Sequence, residues 1–349
     1  MKTYNAPKLI ELATRLLSKL DLPEDRAHIT AQTLVESDLM GHTTHGLALL
    51  QPYLADMEKG GMKLSGDPTV INDSGASVTW DGQYLPGCWL THRAIDVALE
   101  RIVDHPVVTV AIGQSHHIGC LAAYPERATD KGLIMLLSCS DPRNKAVAPY
   151  GGLSGVYSPN PIAMGYPTES DPVILDISMS TTAVGLINQS HVQNEKLSHP
   201  WLLDSKGKIT DDPSTFFSDS PSTILPLGGL DAGYKGFALG MLVEMLTSGL
   251  AGNGRADHPT NWGASVFLQI IDPEKFGGAE AFKKQAQFLA NACLDSTPSD
   301  PNQPVRLPGQ RALQLREKQK REGVALEPHI VRLLQNWSDK LGVDFSIIE

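Results

Sequence analysis

Thr44-His45-Gly46 places a hydroxyl beside an imidazole, with a glycine directly after it. Histidine gives or takes a proton near neutral pH, and a neighbouring hydroxyl can orient it. Tyr53 follows a few residues on. A second imidazole pair lies in Ser115-His116-His117-Ile118-Gly119, just after the apolar run Val107–Ile112. A residue at the C-terminal end of a buried strand is well placed to face a ligand crevice. Adjacent side chains rarely point at one ion and no third ligand stands at a suggestive spacing, so no metal site is assigned. Plain packing of the imidazoles is the alternative reading.

Four other stretches suit an anion. Leu175-Asp176-Ile177-Ser178-Met179-Ser180-Thr181-Thr182 ends a strand pattern and begins a helix. Hydroxyls and free amides at a helix start favour a pyrophosphate, although ordinary capping uses the same residues. Gly233-Tyr234-Lys235-Gly236 sets a lysine before an apolar helix. Pro149-Tyr150-Gly151-Gly152 and Ser158-Pro159-Asn160-Pro161 form tight turns, whose amides can hold phosphate or simply turn the chain.

These residues need elements to hold them. Leu9, Leu12, Leu16, Leu17 and Leu20 recur at helical spacing, and a second helix spans about Glu24 to Met40, ending at Gly41. A short helix passes through Leu49 and Tyr53 and closes at Gly60-Gly61. Strands are expected at Thr69–Ile71, Ser77–Trp80, Val107–Ile112, Leu133–Ser138, 173–177 and 265–271. Helices are expected at Thr91–Asp104 and 121–131. The apolar segment 233–250 reads as a helix in the core, and the tail from Arg311 reads as helical. Stretches 211–222 and 296–304 read as exposed loops.

The bulk numbers bound the class. With 349 residues, 41% hydrophobic and 19% charged, the chain is a folded protein large enough for more than one lobe. Its net charge of −10 argues against nucleic acid or an anionic membrane as partner. The basic cluster from Arg316 to Arg321 alternates with acids and reads as an exposed helix face. Cys88, Cys120, Cys139 and Cys293 are scattered, which fits free thiols in a reducing cytoplasm. No signal core or membrane span is read in the chain. The nearest approach to a GxGxxG fingerprint, Gly252-Asn253-Gly254-Arg255-Ala256-Asp257, lacks the third glycine and follows a helix, so no Rossmann site is assigned.

In order and spacing, these motifs resemble the malate/L-lactate dehydrogenase-like oxidoreductases, a family that includes ureidoglycolate dehydrogenase, 2,3-diketogulonate reductase and ketimine reductases. The resemblance also runs through Trp201-Leu202-Leu203-Asp204, Leu225-Pro226-Leu227-Gly228-Gly229 and Leu307-Pro308-Gly309, and covers nearly the whole chain. It implies an α/β fold, a non-Rossmann NAD(P)-binding mixed-sheet core (66–310), with a helical domain built from both chain ends (1–65 joined by 311–349). It further implies a homodimer, a small-molecule substrate, and NAD or NADP as cofactor. Carried over by position, His45 is the proton donor, Thr44 orients it, and His117 is a second catalytic histidine. Leu49, Tyr53, Ser140 and Asp141 fall at substrate positions. Ser178, Met179, Ser180, Lys235, Gly309, Gln310 and Arg311 fall at cofactor positions.

Three positions depart from the family pattern. Leu49 and Pro52 stand where arginines usually grip a substrate carboxylate, and leucine cannot replace a bidentate donor. Leu186 stands where other branches carry lysine or aspartate. Arg143-Asn144-Lys145 looks inserted before Pro149, and its cations are candidates for the missing anion contact. The expected activity is NAD(P)H-dependent reduction of a small ketone or 2-oxo acid. Reduction of a cyclic imine, or a repurposed protein that binds without redox turnover, are the alternatives.

Overall fold

The structure, a computed structural model, describes residues 2–348. Seven strands make the central sheet: β1 Thr69–Asp73, β2 Ser77–Asp81, β3 Val107–Ser115, β4 Ile134–Ser140, β5 Ile162–Tyr166, β6 Val173–Ile177 and β7 Ala264–Ile271. Their spatial order is β1-β2-β3-β7-β4-β5-β6. β2 and β3 run parallel, and every other pair in the sheet is antiparallel. A doubly wound nucleotide fold needs a run of parallel strands joined by crossover helices. This mixed sheet has no such run, which accounts for the missing glycine fingerprint.

β7 comes late in the chain yet sits at the centre. Val266 pairs with Ile112 on one side and Cys139 on the other. Val108, Val110, Ile112, Met135, Leu137, Val266, Leu268 and Ile270 are all fully buried there. Each such side chain contributes about 1.5–3 kcal/mol by leaving water.

The long helices are α1 Ala6–Ser18, α2 Glu24–Leu39, α3 Leu50–Glu58, α4 Gly87–Arg101, α5 Val184–Gln193, α6 Gly229–Glu244, α7 Ala279–Leu294, α8 Gln310–Glu322 and α9 Pro328–Leu341. Asn5 caps α1 by accepting from the Lys8 amide at 3.2 Å, and Leu9, Leu12, Leu16 and Leu17 are buried on one face. α2 is the hub. It packs on α1, α4 and α8, so polar Thr33 and Ser37 are buried too, each hydroxyl donating to a carbonyl one turn back. The two chain ends share one hydrophobic core, in which Leu12, Leu34 and Tyr53 pack with Val324, Ile330 and Leu334.

Several expectations change. The apolar segment 233–250 is not a core helix. It begins earlier, at Gly229, ends in a π-helical turn at Met245–Gly249, and leaves Leu230, Tyr234, Leu239, Met241, Leu242, Met245 and Leu250 exposed. The basic cluster near 316 is not all surface. Arg316 is buried and pairs with Glu36 and Glu126, tying α8 to α2 and to the helical turn Glu126–Thr129. The helix expected over 121–131 is two short turns, Leu121–Ala123 and Glu126–Thr129, because Pro125 interrupts it. The loop expected over 211–222 contains the 3-10 turn Pro213–Phe217, with Pro213 and Ser222 buried. β5 and α7 were not anticipated from sequence. Among the described residues, no helix is long and apolar enough to cross a membrane.

Candidate active site

The site begins where α2 stops. Gly41 reverses the chain at φ +84°, and a Cβ there would meet Leu315 Cδ2 at 2.8 Å. Gln319 of α8 holds the helix end, its Nε2 donating to the Asp38 and Leu39 carbonyls at 2.9 Å each. Two 3-10 turns follow, Thr43–His45 and Leu47–Leu49. Between them Gly46 is set by close approach: a Cβ would lie 2.2 Å from Asp38 Cγ. The Asp38 carboxyl accepts from the Leu47 amide at 2.7 Å, and burial pushes its pKa up to about 7.

Thr44 Oγ1 lies 2.9 Å from His45 Nδ1. The His45 and His117 rings face each other nearly parallel, with centroids 6.0 Å apart. The Gly119 amide donates to His117 Nδ1 at 3.2 Å, and the Tyr53 hydroxyl is 2.8 Å from the same nitrogen. A nitrogen that accepts an amide N–H carries no proton, so the His117 proton is assigned to Nε2. Burial, with His45 and His116 nearby, holds His117 well below the usual histidine range. Burial also lowers His45. The charge of Asp176 opposes that shift and His42 adds to it.

A second shelf supports the first. His116 is fully buried and its Nε2 is 3.0 Å from Asp56 Oδ2. Gly61 makes room for that carboxylate, since a Cβ would come within 2.4 Å of it. Trp262 packs on His116, His117 and Tyr53 with centroids at 4.9, 5.1 and 5.5 Å. Asp38, Asp56 and Trp262 were not singled out from sequence, because no local motif marks them. They meet the histidines only through the fold.

The expected substrate positions divide. Tyr53 touches His117 directly. Leu49 packs partly buried against the helical core, and its near neighbour Pro52 lines a cavity of about 970 Å³. Asp141, Arg143, Lys145 and Trp262 line the same cavity. The Ser140 hydroxyl is taken up elsewhere, 2.8 Å from Thr247 Oγ1 and 3.2 Å from Ser248 Oγ.

Behind Asp141 lies an ion pair, with Glu244 buried and Arg255 partly buried, that the sequence did not announce. Arg255 Nη2 is 2.7 Å from Glu244 Oε1, and the guanidinium also donates to the carbonyls of Asp141, Pro142 and Asn144. Asn160, at φ +48°, donates to Glu244 at 2.9 Å and accepts from Ser158. Arg255 falls within the rejected glycine segment, whose real task here is to brace residues 141–144.

The expected cofactor positions also divide. Gly309 and Arg311 line a second cavity of about 410 Å³, with His42, Asp176 and Arg306. This cavity borders the Thr43–His45 turn. Gly309 is at φ +81°, and a Cβ would press on the Ile174 carbonyl at 2.4 Å. Gln310 caps its own helix start by accepting from the Leu307 amide. Ser178 and Ser180 bond within their own turn, while Met179 is buried and paired with Pro159 and Leu227 through the backbone. Lys235 is exposed on α6, 5.8 Å from the Tyr234 ring centre.

Comparison with known proteins bears on this arrangement. A sequence model described as malate/L-lactate dehydrogenase matches residues 4–335. The chain is 29% identical over 343 residues to the malate/(S)-sulfolactate dehydrogenase of Methanothermus fervidus, covering 96% of this chain and 97% of that one. It is 28% identical to the L-lactate dehydrogenase of Cupriavidus necator over 341 residues, covering 95% and 96%. The solved structure of malate dehydrogenase from Pyrococcus horikoshii superposes with a TM-score of 0.88 at 26% identity, covering 98% of this chain and 96% of that one.

Proposed function

The chain belongs to the malate/L-lactate dehydrogenase family and is an oxidoreductase acting on CH–OH/C=O groups, and from that premise we propose that it reduces 2-oxo acids and small ketones with a nicotinamide cofactor, His45 giving the proton. The single observation that carries this reading is the facing pair of His45 and His117, with Thr44 on one ring and Tyr53 on the other. Related dehydrogenases of malate, sulfolactate and lactate support the substrate class.

The residues fit a nicotinamide dinucleotide. The cavity beside the His45 turn carries Arg306 and Arg311 for phosphates, and the backbone approach at Gly309 leaves no room for a side chain. When bound, the nicotinamide supplies the hydride. His45 then serves the substrate oxygen: a depressed pKa makes its protonated form a strong acid and its neutral form a ready base for the reverse reaction. His117, neutral with its proton on Nε2, donates a hydrogen bond and helps to hold that oxygen. Trp262 and Tyr53 shield the pair from water.

The exposed apolar face of α6 supports a homodimer. Leu230, Tyr234, Leu239, Met241 and Leu242 form the kind of patch that monomers rarely leave in water. Sedimentation at micromolar concentration tests this, and a monomer would refute it. Cofactor use is tested by titrating NADH and NADPH separately, with binding of at least one expected. Binding of neither overturns the reductase reading and favours a repurposed protein.

A further inference from the structure

We propose that the 970 Å³ cavity beside His117 is a subsite for an anionic, hydroxylated arm of the substrate, gripped by Arg143 and Lys145. The inference rests on the reductase reading and adds to it the chemistry of the molecule reduced. Four observations carry it.

The first is position. Trp262 packs on His117 and Pro52 adjoins Tyr53, and both residues line the cavity. The cavity therefore abuts the histidine site through Trp262 and Pro52. The second is size. Ligand pockets hold drug-sized molecules within about 300–1,000 Å³. A four-carbon acid would leave most of this one to solvent.

The third is charge on a braced loop. Arg143 and Lys145 line the cavity, and among the described residues neither is in an ion pair. Arg143 uses one nitrogen on the Thr260 carbonyl at 3.1 Å, which steadies the guanidinium. Asp141 also lines the cavity, but its Oδ1 accepts from the Arg143 and Asn144 amides and so shapes the loop. Arg255 holds three carbonyls of the same loop from behind, and a Cβ at Gly155 would collide with the Lys145 carbonyl at 1.7 Å. The cations are thus presented on fixed backbone, which lowers the ordering cost of binding. Their position offsets the loss of arginine at Leu49 and Pro52.

The fourth is a polar lining. Ser154, Ser205 and Ser220 line the cavity with the cations, and their hydroxyls suit a hydroxylated arm.

The test compares wild type with Arg143→Gln, Lys145→Gln and the double variant. Probes are 2-oxoglutarate, a phosphorylated hydroxy-2-oxo acid, pyruvate and uncharged 2,3-butanedione. Steady-state kinetics and binding calorimetry are both read, with the cofactor present. The double variant is expected to raise KM and Kd for a charged-arm probe by roughly 10–100-fold, with kcat within about twofold and the diketone unaffected. A preference between 2-oxoglutarate and the phosphorylated probe identifies the acid as carboxylate or phosphate. Equal binding of all charged probes by wild type and double variant overturns the subsite. Charge-dependent binding without turnover keeps the subsite and overturns the reductase reading instead.

Discussion

The Tyr53 hydroxyl lies 2.8 Å from Nδ1 of His117 and 3.2 Å from the same residue's carbonyl oxygen. With the Gly119 amide on that nitrogen as well, one tautomer of His117 is held and its Nε2–H is turned to use. Tyr53→Phe removes the hydroxyl and keeps the ring that packs on Trp262. A fall in kcat of roughly 10–100-fold is expected, within the range of acid–base contributions, with about 0.5–1.5 kcal/mol of stability lost for one hydrogen bond, since the Gly119 amide still serves Nδ1. Steady-state kinetics beside a thermal melt separate the two, and an unchanged kcat would show that tautomer control is dispensable.

Asp176 bears on the proposed role of His45. Its charge raises the His45 pKa against the larger lowering by burial. With His45 as the proposed proton donor, kcat/KM for reduction is expected below that pKa and declines as pH rises through it. Asp176→Asn removes the opposing charge, and the declining limb should move to lower pH. The profile of NAD(P)H consumption in wild type and variant measures this. A limb that stays put, or moves up, contradicts the assignment of His45 as acid.

Asp38 makes stability fall with pH. Its folded pKa of about 7 lies above the ordinary carboxylate value of 3.8, so the folded state binds the extra proton between those values. The stabilising contribution is full below the lower value and is lost as pH climbs through about 7. Asp38→Asn keeps an acceptor for the Leu47 amide and removes the titration. The stability difference, variant minus wild type, should grow from pH 4 to pH 8 by up to about 4 kcal/mol. Urea titrations at those two pH values read it, and a constant difference would show that Asp38 does not titrate in this way.

The Arg255–Glu244 pair braces the loop that carries Arg143 and Lys145. Removing one partner of a buried pair typically costs about 3–5 kcal/mol, because the other charge is left unpaired. Arg255→Leu should therefore destabilise by that amount and speed amide exchange in residues 141–145 and 158–160, while exchange in β7 changes little. If exchange in 141–145 stays at the wild-type rate, the bracing role is wrong.

Much of this site could be read before the fold was known, and the parts that could not have a common cause. Thr44, His45, His117 and Gly309 sit in short local motifs, so their types and order were visible. The leucine spacing of α1 and the apolar run of β3 were visible for the same reason, since periodicity is a local signal. Asp38, Asp56, Trp262 and Arg255 act across the chain, and each becomes meaningful only once α2, α3 and the segment before β7 converge. The α6 segment was misplaced because an apolar helix looks the same whether it fills a core or covers a partner. Arg316 was misplaced because its neighbours Glu317 and Lys318 do face solvent, and sequence does not show that helix phase turns it inward to Glu36 and Glu126. Ser140 carries a residue type suited to a substrate contact, and sequence does not show that its hydroxyl also meets Thr247 and Ser248.

The most direct test of His45 as the proton donor is turnover by His45→Gln, measured by NADH and NADPH oxidation against the 2-oxo acid probes, beside a cofactor titration of the same preparation. The variant should bind the nicotinamide cofactor within about twofold of wild type and lose on the order of 10²–10⁴ in kcat. Turnover at the wild-type rate with cofactor bound would contradict it.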